Sequence, residues 1–204
     1  MRTFVLVPVP GAACDWTVTS TKGSVRVRHD GGGKTLRRGD AVVPGDTVTT
    51  GRKAKVALRS GGGDAVRPEP GGRLQLADAR CGSGRERRFT WRLGSGRSLA
   101  TAGRLSGRGF VVEGSGWAAR ASGATFWVDA RGRGRKAVFR VRAVKGAVEL
   151  RSLRSSRRRV IVRAGRCASG RGNGSGRPTR PRRCRSVTQA LAAGLGDPVE
   201  ALRH

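Results

Sequence analysis

Short segments in which apolar and polar residues alternate, separated by glycine-containing turns, recur through the first three-quarters of this chain. Val25 and Val27 alternate with Arg26 and Arg28, and the same period of two returns over residues 139–143. A period of two puts apolar side chains on one side of a strand and polar ones on the other. The pattern predicts an all-β fold of stacked or sandwiched antiparallel sheets of short strands. Its predicted large core anchors are Phe89, Trp91, Phe110, Trp117, Phe126, Trp127 and Phe139.

The chain divides into four segments of different composition. Residues 1–14 predict either a truncated export signal or an N-terminal strand, because prolines interrupt their short apolar run. Residues 15–166 carry the alternating pattern and predict the β domain. Residues 167–186 are rich in glycine and arginine and predict a basic loop with little core of its own. Residues 187–204 predict a short C-terminal helix.

Basic residues dominate the charge: 43 lysines and arginines outnumber 13 acids, which gives a formal net charge of +30. Two causes remain open at this point. A GC-rich genome replaces lysine by arginine through codon usage, whereas a polyanionic partner favours arginine because its guanidinium pairs bidentately with phosphate. In both cases the charge attracts nucleic acid, acidic polysaccharide or anionic lipid non-specifically.

Candidate contacts for an anionic ligand come from two arginine-rich runs late in the chain and from the polar side of the predicted strands. The runs contribute Arg157, Arg158, Arg159, Arg182, Arg183 and Arg185. The outward strand positions are Arg26, Arg28, Arg140 and Arg142. No aromatic residue follows Phe139, so the late runs lack the rings that stack on single-stranded bases.

The four cysteines, Cys14, Cys81, Cys167 and Cys184, form no Cys-x-x-Cys pair, and neither histidine lies near a cysteine in sequence. The sequence therefore predicts no metal site. Cys167 and Cys184 bracket the glycine- and arginine-rich segment, where a disulfide would restrain a stretch with little core. Two unpaired thiols are the alternative, and the sequence does not decide between them.

No arrangement of residues in the sequence predicts catalysis or a bound cofactor. Residues 31–35 resemble the end of a phosphate-binding loop, but Arg28 stands where that loop requires its first glycine. His29 is the only internal histidine, and no Gly-x-Ser-x-Gly nucleophile motif occurs. We therefore predict a non-catalytic protein that binds other molecules.

The order of turns and strands resembles the FecR family of extracytoplasmic β domains. The resemblance is carried by Trp16, by residues 23–27, and by the paired Gly-Asp turns of residues 36–51, followed by residues 55–58, 66–70 and 74–76. It continues through residues 119–128, 144–150 and 162–165, and covers about residues 15–166.

This resemblance implies a secreted or cell-envelope protein that senses or interacts, with a protein partner or an envelope ligand and no small-molecule cofactor. It does not imply complete transmembrane signalling, and no run of the roughly 20 apolar residues needed to cross a bilayer occurs in the sequence. The residues alone leave an alternative, which is a polyanion- or nucleic-acid-binding protein that uses the arginine-rich surface and tail.

Overall fold

The computed structural model describes residues 16–80, 87–104 and 109–184, and within these ranges the protein is built almost entirely of β-strands. The first half of the chain forms β1 (Trp16–Lys22), β2 (Val25–His29), β3 (Gly32–Thr35), β4 (Ala41–Val42), β5 (Thr47–Thr50), β6 (Lys55–Ser60), β7 (Ala65–Pro68), β8 (Arg73–Arg80) and β9 (Arg88–Ala102). The second half forms β10 (Phe110–Gly114), β11 (Trp117–Ala121), β12 (Ala124–Arg131), β13 (Val138–Lys145), β14 (Ala147–Ser152), β15 (Arg159–Arg163), β16 (Arg166–Arg171) and β17 (Arg182–Arg183). A short 3-10 turn, Gly134–Lys136, connects β12 to β13.

The strands form two sheets. Sheet I has the order β3-β2-β5-β8-β9-β10-β11-β14-β15. Sheet II has the order β4-β1-β6-β7-β9-β12-β13-β16-β17. Neighbouring strands in the described ranges run antiparallel, except that β9 and β10 are parallel. The predicted all-β class is confirmed, with this one parallel pair added to it.

Strand β9 belongs to both sheets and joins them. Its first half pairs with β8 and β10 in sheet I, and its second half pairs with β7 and β12 in sheet II. At the change of sheet, Gly96 has a φ of +90°. A Cβ on Gly96 would lie 2.9 Å from the Cα of Gly72. Only glycine tolerates both the positive φ and the close approach, so Gly96 lets the strand pass from one layer to the other.

The apolar faces of the two sheets pack against each other in one core. Trp16 of sheet II makes edge-on contacts with Trp91 and Phe89 of sheet I, with ring centroids 4.8 and 5.4 Å apart. Phe110 of sheet I meets Phe126 of sheet II in the same way, at 6.2 Å. All five rings are fully buried. Aromatic contacts between the layers therefore add roughly 0.5–1.5 kcal/mol per pair to the burial of apolar area.

The predicted alternation holds in the strands that suggested it, with one exception among the aromatic anchors. Val25 and Val27 are buried while Arg26 and Arg28 are exposed. Trp127, predicted to be in the core, lies half-buried on the outer side of β12. That prediction was wrong because the residues on either side of Trp127 take the two inward positions of the strand.

Residues 167–186 were predicted as a basic loop; residues 167–171 and 182–183 instead lie in strands, and residues 172–181 form the turns and coil between them. The chain continues sheet II as β16 and β17. Gly170 in β16 lies against the buried ring of Trp117, so closely that a Cβ on Gly170 would be 2.0 Å from Cε2 of the ring. The Oγ of Ser152 donates a hydrogen bond to the carbonyl of Gly174 at 2.7 Å. A glycine that packs against an aromatic ring adds no apolar residue to its strand. The sequence pattern therefore did not predict strand β16.

The β-structure therefore extends past the predicted boundary at residue 166 to Arg183. Residues 1–14 and 187–204 lie outside the described residues. The export signal or N-terminal strand predicted for the first of these segments, and the short helix predicted for the second, stay predictions.

Candidate anion-binding cleft

A row of three polar residues crosses the outer face of sheet I on neighbouring strands. β2 pairs with β5 so that Arg26 lies opposite Thr49, and β5 pairs with β8 so that Thr49 lies opposite Arg73. All three side chains are exposed. They point away from the core because the residues beside them in each strand, among them Val48, are buried.

A second row runs beside the first. Arg28 lies opposite Thr47, and Thr47 lies opposite Gln75. The Nε2 of Gln75 donates a hydrogen bond to the carbonyl of Gly45 at 3.1 Å, which fixes the amide at the end of the row. The two rows together place three guanidinium groups around two threonines.

A cleft of about 620 Å³ opens over the first row and over Arg28, whereas Thr47 and Gln75 line a neighbouring cavity. It is lined by Arg26, Val27, Arg28, Gly31, Gly33, Lys34, Thr35, Thr49 and Arg73. The described lining residues include no acidic side chain. The positive charge of Lys34 is partly compensated, since its Nζ lies 3.9 Å from Oδ2 of Asp40. The three arginines therefore carry the net positive charge of the cleft, which suits an anionic ligand.

A second cavity of about 560 Å³ adjoins the first, and Arg73 lines both. In this second cavity the Nε of Arg92 lies 3.5 Å from Oε2 of Glu113. Arg133 contributes to the same lining. The lining of the second cavity therefore carries both positive and negative charge, because Glu113 neutralises part of the charge of the arginines. The first cavity is the stronger candidate for binding an anion.

The two arginine runs predicted as anion contacts lie apart from each other. Arg157 is exposed in the turn before β15 and Arg159 at its first position, while Arg182 and Arg183 are exposed in β17, which pairs with the start of β16. The intervening strand β15 is five residues long, about 13 Å at the usual rise per residue. The described linings of both cavities contain none of these four arginines.

Arg158 binds the protein itself. Its Nη1 donates hydrogen bonds to the carbonyl oxygens of Ser175 and Gly174, the latter at 3.4 Å, and so ties residues 174–175 to the turn before β15. Its predicted role as a ligand contact stays a prediction beside this structural contact. The contact role stays a prediction for the exposed Arg157, Arg159, Arg182 and Arg183, and for Arg185, which lies outside the described residues.

Arg140 and Arg142, the other outward arginines, are half-buried on sheet II. Arg140 lies opposite Asp129, and Arg142 lies opposite Trp127. An acid and an aromatic ring therefore share this face with the arginines. Of the predicted outward arginines, Arg26 and Arg28 are the pair that the structure places in a basic cleft. Sequence reasoning missed Arg73, although the inward leucines at positions 74 and 76 place Arg73 outward by the same alternation.

The cysteines Cys167 and Cys184 are neighbours, and both are thiols in this structure. The backbone N–H of Cys184 donates to the carbonyl of Gly165 at 3.3 Å, and Cys167 lies opposite Arg182 in the β16–β17 pair. Burial, followed by hydrogen bonding with the Cys167 side chain, raises the pKa of Cys184 to about 12. The predicted disulfide stays a prediction, and β17 brings its two partners together.

Oxidation should join this pair. In a variant carrying Cys14→Ser and Cys81→Ser, oxidised glutathione should convert both remaining thiols to a disulfide and release two reduced glutathione molecules. The disulfide should stabilise the protein by about 3 kcal/mol, the value for a loop of similar length. Closure should accelerate between pH 8 and pH 10, because burial keeps Cys184 largely protonated in this range and its small fraction of thiolate, the attacking form, grows as the pH rises.

The measurement is intact mass together with a thiol titration of the unfolded chain. The matched control adds Cys184→Ser, which should stop at a mixed disulfide with one glutathione. The pairing is contradicted if the two-cysteine variant also stops with glutathione attached and forms no internal disulfide.

His29 stabilises a turn by contacts of its imidazole with two carboxylates. Its Nδ1 lies 2.8 Å from Oδ1 of the buried Asp46, and its Nε2 lies 3.2 Å from Oδ2 of Asp30. The other oxygen of Asp46 accepts a hydrogen bond from the backbone N–H of Val43 at 2.9 Å. The two carboxylates and the imidazole thus link the end of β2 to the loop before β5, as expected for a turn histidine.

Two further features of the described ranges bear on function. No group of three histidine, cysteine, aspartate or glutamate side chains comes together there as a metal site. The same ranges contain no helix that is long and apolar enough to cross a bilayer.

No family model matches the sequence, and no curated protein matches it. The fold is similar to two crystal structures of a candidate anti-sigma factor from Parabacteroides distasonis ATCC 8503. One has a TM-score of 0.55 at 14% identity and covers 72% of this chain and 65% of that chain. The other has a TM-score of 0.54 at 14% identity and covers 71% and 63%. This chain thus spans slightly less than two-thirds of those proteins, and at this identity the likeness establishes the fold.

Proposed function

We propose that this chain is a non-catalytic regulatory module of the FecR type that works outside the cytoplasm and binds a protein partner or a cell-envelope ligand. The observation that carries the proposal is the two-sheet β-fold, which is shared with candidate anti-sigma factors over 72% of the chain. The order of its Gly-Asp turns and strands, which resembles the FecR family, supports the same role independently.

The structure fits such a module physically. A rigid aromatic core fixes the two sheets, and the outer face of sheet I offers an open basic cleft of about 620 Å³. Binding surfaces on rigid strands keep their geometry, which lowers the entropic cost of association. A ligand bound there would contact prearranged arginines, and a partner protein would respond to whether the ligand is bound.

Transcription tests the regulatory role. Deleting the gene should change the transcript levels of a discrete group of genes that share one promoter motif, because an anti-sigma-like regulator acts on one class of promoter. Total RNA sequencing of the deletion strain, with and without a restored wild-type copy, measures the change. An unchanged transcript profile in growth phases where the protein is made would contradict the role.

The location has its own test. Fractionation of cells that carry the native gene should place the protein with the cell envelope or the medium rather than with the cytoplasmic fraction. Recovery with a cytoplasmic marker would contradict the extracytoplasmic part of the proposal.

A further inference from the structure

We propose a binding site for a phosphodiester polymer that lacks bases, in which Arg26, Arg28 and Arg73 hold successive phosphates of such a chain over Thr49. This inference rests on the proposed function, from which it takes the location outside the cytoplasm, and it names the chemical class of the envelope ligand. Poly(glycerol phosphate) has the required chemistry and serves as the probe.

The register of three strands brings the arginines together. Arg26 and Arg73 flank Thr49 in one row, and two strand spacings separate their Cα atoms by about 10 Å. Arg26 and Arg28 lie on the same side of β2, about 7 Å apart at the usual strand rise. The long guanidinium side chains can therefore contact neighbouring charges along one extended chain.

The charge of these arginines is not compensated by the protein. Among the described residues, none of the three takes part in an ion pair. Arginines on other strands differ in this respect: Arg97 lies 3.5 Å from Glu69, and Arg131 lies 2.9 Å from Asp129. Charge-assisted hydrogen bonds from a guanidinium fork to phosphate oxygens are the contacts that such free arginines make best.

The floor of the cleft selects the kind of polymer. The hydroxyl of Thr49 lies between Arg26 and Arg73 and can donate to a phosphate oxygen. The described residues that line the cleft include no aromatic side chain. Bases of a single strand bind chiefly by stacking on aromatic rings, so the site favours a polymer whose charge repeats without bases.

The experiment compares two variants of equal charge. The cleft variant carries Arg26→Gln, Arg28→Gln and Arg73→Gln. The remote variant carries Arg135→Gln, Arg163→Gln and Arg171→Gln, which are exposed, lie outside both cavities and are not among the predicted contacts. Binding of fluorescent poly(glycerol phosphate) to each purified chain is followed by anisotropy at several salt concentrations, after circular dichroism and thermal unfolding have shown that each variant folds.

We expect the cleft variant to lose affinity by at least about tenfold, as three exposed charge contacts allow. The affinity of the remote variant should fall by less than about threefold, which is the share we assign to the electrostatic field of the protein's net charge. The slope of log affinity against log salt should fall by about 2 to 3 in the cleft variant, since each phosphate contact contributes slightly less than one. Arg73→Gln alone should show a smaller loss of the same kind.

Three results would overturn the inference. Equal losses in the two variants would assign binding to the net charge alone. Oligodeoxythymidylate with the same number of phosphates binding more tightly than the probe would assign the cleft to nucleic acid. Inorganic phosphate competing as well as the polymer, phosphate for phosphate, would reduce it to a site for a single anion. Because binding is measured on the purified chain, a failure here leaves the transcriptional role standing, and the reverse also holds.

Discussion

Replacing Gly170 with valine should lower the free energy of unfolding by about 4 kcal/mol or more, the range of severe overpacking in a core. A Cβ at this position would lie 2.0 Å from Cε2 and 2.1 Å from Cδ2 of Trp117. The ring cannot give way, because Trp117 is fully buried. Either β16 must leave sheet II or the ring must leave the core. Urea unfolding followed by far-UV circular dichroism measures the loss.

Gly32→Val is the matched control for this change. Gly32 lies in the edge strand β3, where the nearest atom to an added Cβ is the carbonyl oxygen of His29 at 3.5 Å. We expect this control to shift the free energy of unfolding by less than about 1 kcal/mol, as for other exposed positions. If Gly170→Val proves as mild as Gly32→Val, β16 does not lie on the Trp117 ring.

Trp16→Ala should cost about 3–5 kcal/mol, the range for removing a large aromatic side chain from a core. Trp16 contacts Trp91, Phe89 and Phe110 across the two sheets. Its buried indole N–H has no hydrogen-bond partner in the described part of the chain. The loss should therefore come from packing between the layers, and the same unfolding measurement reports it.

Trp127→Ala provides the comparison, since it removes the same side chain from the outer side of a strand. Trp127 is half-buried, with the guanidinium carbon of Arg97 6.0 Å from its ring centroid. We expect a cost of about 1 kcal/mol or less. Equal costs for the two tryptophan substitutions would contradict the assignment of inner and outer faces.

The strand faces could be predicted from sequence because they depend on local alternation. Val25 and Val27 give the inward side of β2 without knowledge of its neighbours, and they place Arg26 and Arg28 outside. The same rule corrects the one misplaced aromatic, since Phe126 and Val128 leave Trp127 no inward position. The all-β class followed from many such segments together.

The candidate site could not be predicted in full because it depends on strand register. The sequence places Arg26 and Arg73 on outer faces, but 46 positions separate them in the sequence. They approach only because β5 pairs with both β2 and β8, with Thr49 between them. Such pairings are non-local, and no period within a single strand reports them.

Strand β16 in the C-terminal segment was missed for a related reason. Its stability comes from a glycine against the Trp117 ring and from hydrogen bonds such as that between Ser152 and Gly174. Neither contact adds apolar residues to the local composition. A segment judged by its own hydrophobicity therefore resembles a loop, although distant residues hold it in the sheet.

Amide chemical-shift mapping tests the central claim, that the Arg26–Thr49–Arg73 row forms the anion site, most directly. Titrating poly(glycerol phosphate) into the ¹⁵N-labelled protein should shift resonances of β2, β5 and the start of β8 first and most strongly. Resonances around Arg157 and Arg183 should move only at higher polymer concentrations. Shifts centred on those two regions, or spread evenly over every exposed arginine, would contradict the account.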